Sequence, residues 1–83
     1  MTYEIFWDPS ATNSAARFLA DDPDGLRQVM DAIDLLAEEP RPEAASKWGS
    51  PDRLRIHVGR YRVLYEVTDA TVTIVVVHLG RVA

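Results

Sequence analysis

Arg53, Arg55 and His57 alternate with Leu54, Ile56 and Val58, and after Gly59 the basic run resumes at Arg60 and Arg62. A guanidinium keeps its charge and presents parallel donors that fit a phosphate or carboxylate, while imidazole is the side chain whose ordinary pKa lies near neutrality. In a strand, successive side chains point to opposite faces, so Arg53, Arg55 and His57 share one face and the aliphatic residues the other. A two-residue turn at Gly59-Arg60 pairs Val58 with Tyr61, Ile56 with Val63 and Leu54 with Tyr65; on the basic face it pairs His57 with Arg62, Arg55 with Leu64 and Arg53 with Glu66. Like charges set opposite one another weaken a sheet, and an anionic partner supplies a reason to keep them. The same alternation also describes an ordinary solvent-facing strand, with Arg53 and Glu66 as a plain cross-strand pair.

The surrounding chain makes the cluster conspicuous. Over 83 residues the net charge is −4, yet residues 1–46 hold three arginines against ten acids and residues 47–83 hold six basic residues against three acids. The halves therefore carry −7 and +3, a dipolar molecule with one basic surface. No cysteine is present, which removes disulfides, thiolate metal sites and cysteine nucleophiles. The opening MTYEIFWDPS lacks a basic region followed by an apolar run, and Val72 to Leu79 is too short to span a bilayer. The expectation is a single domain over 1–83, cytoplasmic, with no membrane segment and no redox chemistry.

The elements that must position these residues can be read in order. Thr2 to Trp7 is rich in aromatic and β-branched residues and reads as a strand, in which Trp7 packs. Asp8-Pro9 and Asp22-Pro23 each place an N-capping Asp before a Pro suited to the first helical turn, so a helix begins at each. The first puts Ala11, Ala15, Phe18 and Leu19 on one face; the second puts Leu26, Val29, Met30, Ile33, Leu36 and Ala37 opposite an acidic face. Pro40, Pro42, Gly49 and Pro51 make Glu39 to Asp52 a long connection. Strands follow at Arg53 to Val58, Tyr61 to Val67 and Val72 to Leu79.

The resulting fold class is α+β, in the order β-α-α-β-β-β, with a helical hairpin on one face of a four-stranded antiparallel sheet. Two intervening helices set the first strand antiparallel to its neighbour, which is either the second or the fourth. With Asp69-Ala70 as the last turn and no bulge, Ile74 and Val76 face the helices, Val75, Val77 and Arg81 join the basic side, and His78 turns to the core. Val75, Val77 and Leu79 make the last strand apolar on both faces, so something must cover the basic side near its edge.

On this order of elements, the stretch EEPRPEAASKWGSPDRLRIHVGRYRVLYEV, its Gly-x-Tyr-Arg-x-x-Tyr core at Gly59 to Tyr65 and the ending TVTIVVVHLGR, the chain resembles the RelE/ParE superfamily of toxins from type II toxin–antitoxin modules, the nearer match being RelE. The resemblance implies a ribosome-dependent mRNA endoribonuclease that inhibits translation without a metal, the ribose 2′-hydroxyl attacking the adjacent phosphate. By position, Arg55 and His57 match two basic residues of the family's second strand, Arg62 the arginine of its Tyr-Arg pair, and Arg81 an arginine after the last strand. These four form the expected catalytic set: Arg62 holds the phosphate, Arg55 and Arg81 support it, and His57 moves a proton. Lys47 resembles a loop lysine that touches RNA backbone, Arg53 and Arg60 extend the RNA-binding set, and Trp48 either stacks on a base or anchors the loop. The family places a tyrosine or histidine beyond the last strand, where this sequence reads Arg81-Val82-Ala83, leaving more of the chemistry to His57.

The resemblance also implies partners. A cognate antitoxin with acidic and apolar residues suits the strip at Val75, Val77 and Leu79; the ribosome and mRNA are the targets, and homodimerisation through the same strip is the alternative to antitoxin. Two other functions stay open: a ParE-like toxin acting on DNA gyrase, and a catalytically weak member serving mainly to bind its antitoxin.

Overall fold

The computed structural model describes residues 2–82. Their order is β1 (Glu4–Trp7), α1 (Pro9–Asp21), α2 (Pro23–Leu36), β2 (Ser46–Trp48), β3 (Ser50–Val58), β4 (Tyr61–Thr68) and β5 (Thr73–Arg81), with one 3-10 turn at Asp69–Thr71. Both helices start where the Asp-Pro pairs require. The Asp8 carboxylate accepts from the Ser10 N–H at 2.9 Å, and that of Asp22 accepts from the Gly25 N–H at 3.2 Å, each satisfying a donor the helix leaves free.

The α+β class holds, but the sheet has five strands in the order β1-β5-β4-β3-β2. The additional strand, β2, lies inside the segment expected to be a loop; it forms a tight hairpin with β3 through Gly49, whose φ of +82° is the left-handed conformation glycine adopts most readily. β1 does join the last strand, but parallel to it, with Ile5 opposite Ile74 and Trp7 opposite Val76. The expectation of an antiparallel pair assumed that each helix reverses the chain. Instead α1 runs on past the end of β1 along β5, to which Asp21 is bonded at Arg81, and α2 alone returns the chain, so that the Tyr3 N–H donates to the Ala37 carbonyl at 2.7 Å.

The core lies between the helices and one face of the sheet. Leu26, Val29, Ile33 and Leu36 of α2, with Ala11 of α1, are buried against Leu54, Ile56, Tyr61, Val63, Tyr65, Val67, Ile74, Val76 and Leu79. Leu19 and Met30, assigned above to the helices' apolar faces, are 54% and 39% exposed because they sit at the margins of those stripes. Tyr61 and Tyr65 enter the core as expected, and their hydroxyls still find acceptors, Asp22 at 2.8 Å and the Pro40 carbonyl at 2.7 Å. Burial pushes the Tyr65 hydroxyl's pKa up to about 12, so it remains a donor.

The long connection is pinned by Arg41. Its guanidinium reaches Asp69 through two bonds of 3.1 Å and Asp52 through one of 2.7 Å, and Tyr3 donates to the same Asp69 at 2.7 Å. These bonds, Arg41's first, hold the Asp69 carboxyl below its ordinary pKa. No helix among the described residues is long and apolar enough to cross a membrane.

Candidate functional site

The β3–β4 hairpin forms in the register read from its turn: Arg53 opposite Glu66, Arg55 opposite Leu64, His57 opposite Arg62 and Val58 opposite Tyr61. Arg55, His57 and Arg62 are therefore neighbours on the face of the sheet that the helices leave open. Arg53 bonds Glu66 at 2.8 Å.

β5 departs from expectation at one point. Tyr65 pairs with Val76 but Leu64 pairs with His78, so Val77 is an inserted residue, a β-bulge that shifts the pleat by one. Upstream of it Ile74 and Val76 face the helices and Val75 the open side, as expected. Downstream the faces exchange. Leu79, expected on the antitoxin-facing strip, is 1% exposed in the core opposite Val63, and His78, expected in the core, is exposed on the open face. The sequence carries no local mark of the bulge, since one valine of Val75-Val76-Val77 looks like the next.

The bulge also moves Arg81, which was expected among the catalytic residues on the basic side. Register places it opposite Tyr61 on the helix side, where it pairs with Asp21 and lies 4.9 Å from the centre of the Phe18 ring. The Asp21 bond holds its pKa above the ordinary arginine value. Arg60, expected on the RNA-binding surface, leans the same way and reaches Asp22 at 3.5 Å. The Asp22 carboxyl is held below its ordinary pKa, first by the Tyr61 hydroxyl and then by the Gly25 amide. Lys47 pairs with Leu54 in register, which puts it on the helix side of the edge strand β2 and away from the basic strip.

A depression of about 140 Å³ remains on the open face, lined by Trp48, Arg55, Arg62, Leu64 and His78. Trp48 is the anchor considered for it, its indole N–H donating to the Leu54 carbonyl at 3.1 Å and fastening β2; its ring also forms one wall of the depression, with Arg53 5.8 Å from its centre. Of the five arginines between residues 47 and 83, Arg53, Arg60 and Arg81 have carboxylate partners. Among the described residues Arg55 and Arg62, the two lining the depression, have none, and the buried Nε of Arg55 has no acceptor. Two permanent cations without a counter-charge among the described residues suit an anion, and their planar donors match a phosphate. Among the described residues no group of three or more His, Asp or Glu side chains is arranged to hold a metal ion.

Apolar surface adjoins this site. Phe6 of β1, 48% exposed, is the register partner of Val75, and Leu64 and Val77 are half-buried beside them. At the other margin β3 outruns β2, and Ile56 to Val58 border a groove of about 340 Å³ that includes Ala32, Leu35 and Leu36 of α2.

Comparisons with known proteins agree on the superfamily. Residues 5–83 match the family model described as ParE toxin of the type II toxin–antitoxin system parDE. No curated protein matches the sequence. Among solved structures, the isolated RelE toxin of E. coli is 25% identical with a TM-score of 0.85, covering 98% of this chain and 85% of that one. The toxin in the intact E. coli RelBE toxin–antitoxin complex is 25% identical with a TM-score of 0.83, covering 98% of each chain. The archaeal RelE–RelB complex from Pyrococcus horikoshii contains a chain 25% identical with a TM-score of 0.80, covering 98% and 96%.

Proposed function

Since the chain belongs to the ParE toxin family of type II toxin–antitoxin systems, within the RelE/ParE superfamily, we propose that it is a cytoplasmic, RelE-type toxin that cleaves messenger RNA on the ribosome. The observation that carries this reading is that Arg55 and Arg62 are the arginines of the second half without carboxylate partners among the described residues and that both line the same depression as Trp48 and the His78 imidazole. A charge left unpaired while three neighbours are neutralised fits a phosphate ligand better than a merely solvated face.

In this reading Arg62 and Arg55 hold the scissile phosphate and stabilise the charge that grows on its oxygens as the ribose 2′-hydroxyl attacks. His57 borders the groove beside α2 and not the depression itself, but as the cross-strand partner of Arg62 it is the residue to which this reading gives proton exchange with the reacting oxygens. The site is shallow and open, so orientation of the RNA is left to the ribosome; affinity for free RNA is expected to be low in a chain of net charge −4. A cognate antitoxin is the expected partner. The apolar surface at Phe6, Leu64, Val75 and Val77 and the groove beside Leu35 offer it contact area, and its acidic residues would meet Arg55 and Arg62.

The test is expression without antitoxin, with messenger 5′ ends mapped on translating ribosomes. Cuts at fixed codon positions that fall about 10²- to 10³-fold in Arg62→Ala are the expected result. Equal cutting by that variant rejects the site. The family-model match supports a second reading, a ParE-like toxin acting on DNA gyrase. Gyrase-linked DNA breaks with intact messengers would establish it.

A further inference from the structure

We infer that His78 is a second proton-transfer residue of the proposed cleavage, acting with His57 from the other side of Arg62; the inference rests on the nuclease reading above. The position follows from the bulge. Without the extra residue at Val77, His78 would point into the core; with it, the imidazole comes out onto the open face and lines the depression with Arg55 and Arg62. It is exposed and makes no hydrogen bond to another described residue, so nothing in the packing accounts for a histidine there.

Gly80 fixes where the ring lies. A Cβ added at Gly80 would sit 2.9 Å from His78 Nε2, so the imidazole occupies the space that a side chain at residue 80 would fill. Gly80 is the register partner of Arg62 on β5, as His57 is on β3. Three adjacent strands thus present His57, Arg62 and the His78 ring in a row. Neighbouring strands lie about 4.8 Å apart, so the backbones of His57 and Gly80 stand roughly 10 Å apart with Arg62 between them, and the His78 ring reaches two residues along β5 to lie over Gly80.

That row suits an in-line phosphoryl transfer, in which the attacking and leaving oxygens stand on opposite sides of phosphorus. One imidazole takes the proton of the 2′-hydroxyl as the O2′–P bond forms. The P–O5′ bond breaks, and the other imidazole, as imidazolium, gives its proton to the departing O5′. The products are a 2′,3′-cyclic phosphate and a free 5′-hydroxyl, with no oxidant, reductant or further reactant consumed. Arg62 between the two holds the phosphate oxygens throughout.

The test uses the full chain on ribosomes carrying a messenger whose mapped cut site has either the natural oxygen or a sulfur at the 5′ bridging position. A thiolate leaves without needing a proton. On the oxygen linkage, His78→Ala and His78→Gln are expected to cut about 10²-fold more slowly while binding ribosomes and melting as the unaltered chain does. On the sulfur linkage, one of His57→Ala and His78→Ala recovers to near the unaltered rate and the other stays slow; the one that recovers has lost the acid. Unaltered cutting of the oxygen linkage by both His78 variants overturns the inference, as does a sulfur linkage that rescues neither histidine variant. If these results come with a strong defect in Arg62→Ala, only the role of His78 is lost. If the unaltered chain cuts nothing, the nuclease reading fails and this one with it.

Discussion

Two pairs of arginines on the same sheet are treated in opposite ways. At the end where the β3–β4 turn meets the turn between the helices, Arg60 and Arg81 lie against Asp22 and Asp21, and Arg81 covers the Phe18 ring. On the open face Arg55 and Arg62 have no carboxylate among the described residues, although the first half of the chain holds ten acids. Most of those acids are on the helices and their connecting turn, and the sheet stands between them and the open face. Exposed arginines are thus better separated by whether the fold supplies a counter-charge than by their spacing in the sequence. By that measure the first pair fastens the helical hairpin to the sheet, and the second is the pair to which the proposed function assigns a ligand.

The largest effect that tests this contrast is on activity. Arg55→Ala, like Arg62→Ala, is expected to lose about 10²- to 10³-fold in ribosomal cleavage while its urea midpoint stays the same or rises, because the orphaned Nε goes with the side chain. A midpoint that falls sharply would make Arg55 a structural residue and remove the contrast.

Next in size is the bulge that sorts the two pairs. Leu79→Ala is expected to cost about 2–5 kcal/mol of unfolding free energy, whereas Val75→Ala, half-buried on the open side, stays within about 1 kcal/mol. Similar costs for the two would mean that β5 keeps one pleat throughout and that Arg81 shares the open face.

Acid sensitivity bears on the same contrast at a smaller scale. Asp22 and Asp69 both have folded-state pKa values below the ordinary carboxyl value. The unfolded chain therefore takes up their protons first, so the stability they contribute is complete above about pH 4 and is lost as pH falls through their folded values. Melting temperatures recorded from roughly pH 6 downward should drop below about pH 4, and less steeply in Asp69→Asn. The smallest effect is expected for Asp21→Asn, where the partly exposed pair with Arg81 is lost and the melting temperature falls only slightly.

Local rules make much of the molecule legible in its sequence. Asp8-Pro9 and Asp22-Pro23 mark both helix starts, and the period-2 pattern around Gly59 yields every pair of the β3–β4 register. What escapes such rules is set by the fold at a distance. The direction of β1 depends on how far α1 runs before the chain turns back, and β2 lacks an apolar pattern long enough to stand out between Pro42 and Pro51. The adjacency of Arg55, His57 and Arg62 is legible because they sit on one hairpin, whereas the sequence misplaces Arg81 and His78 because both lie beyond Val77. The carboxylate partners of Arg60 and Arg81 are 38 and 60 residues away in sequence, out of reach of any pattern rule.

Val77 gives β5 something like two reading frames. Upstream, one parity of residue number faces the helices; downstream, the other does. A single residue gained or lost within Thr73–Arg81 would therefore exchange His78 for Leu79, and Gly80 for Arg81, across the sheet, with the rest of the composition untouched. Point substitutions at this strand change one side chain at a time, but an insertion or deletion rewrites the chemistry of both faces at once. Length, more than identity, is what this strand has to keep.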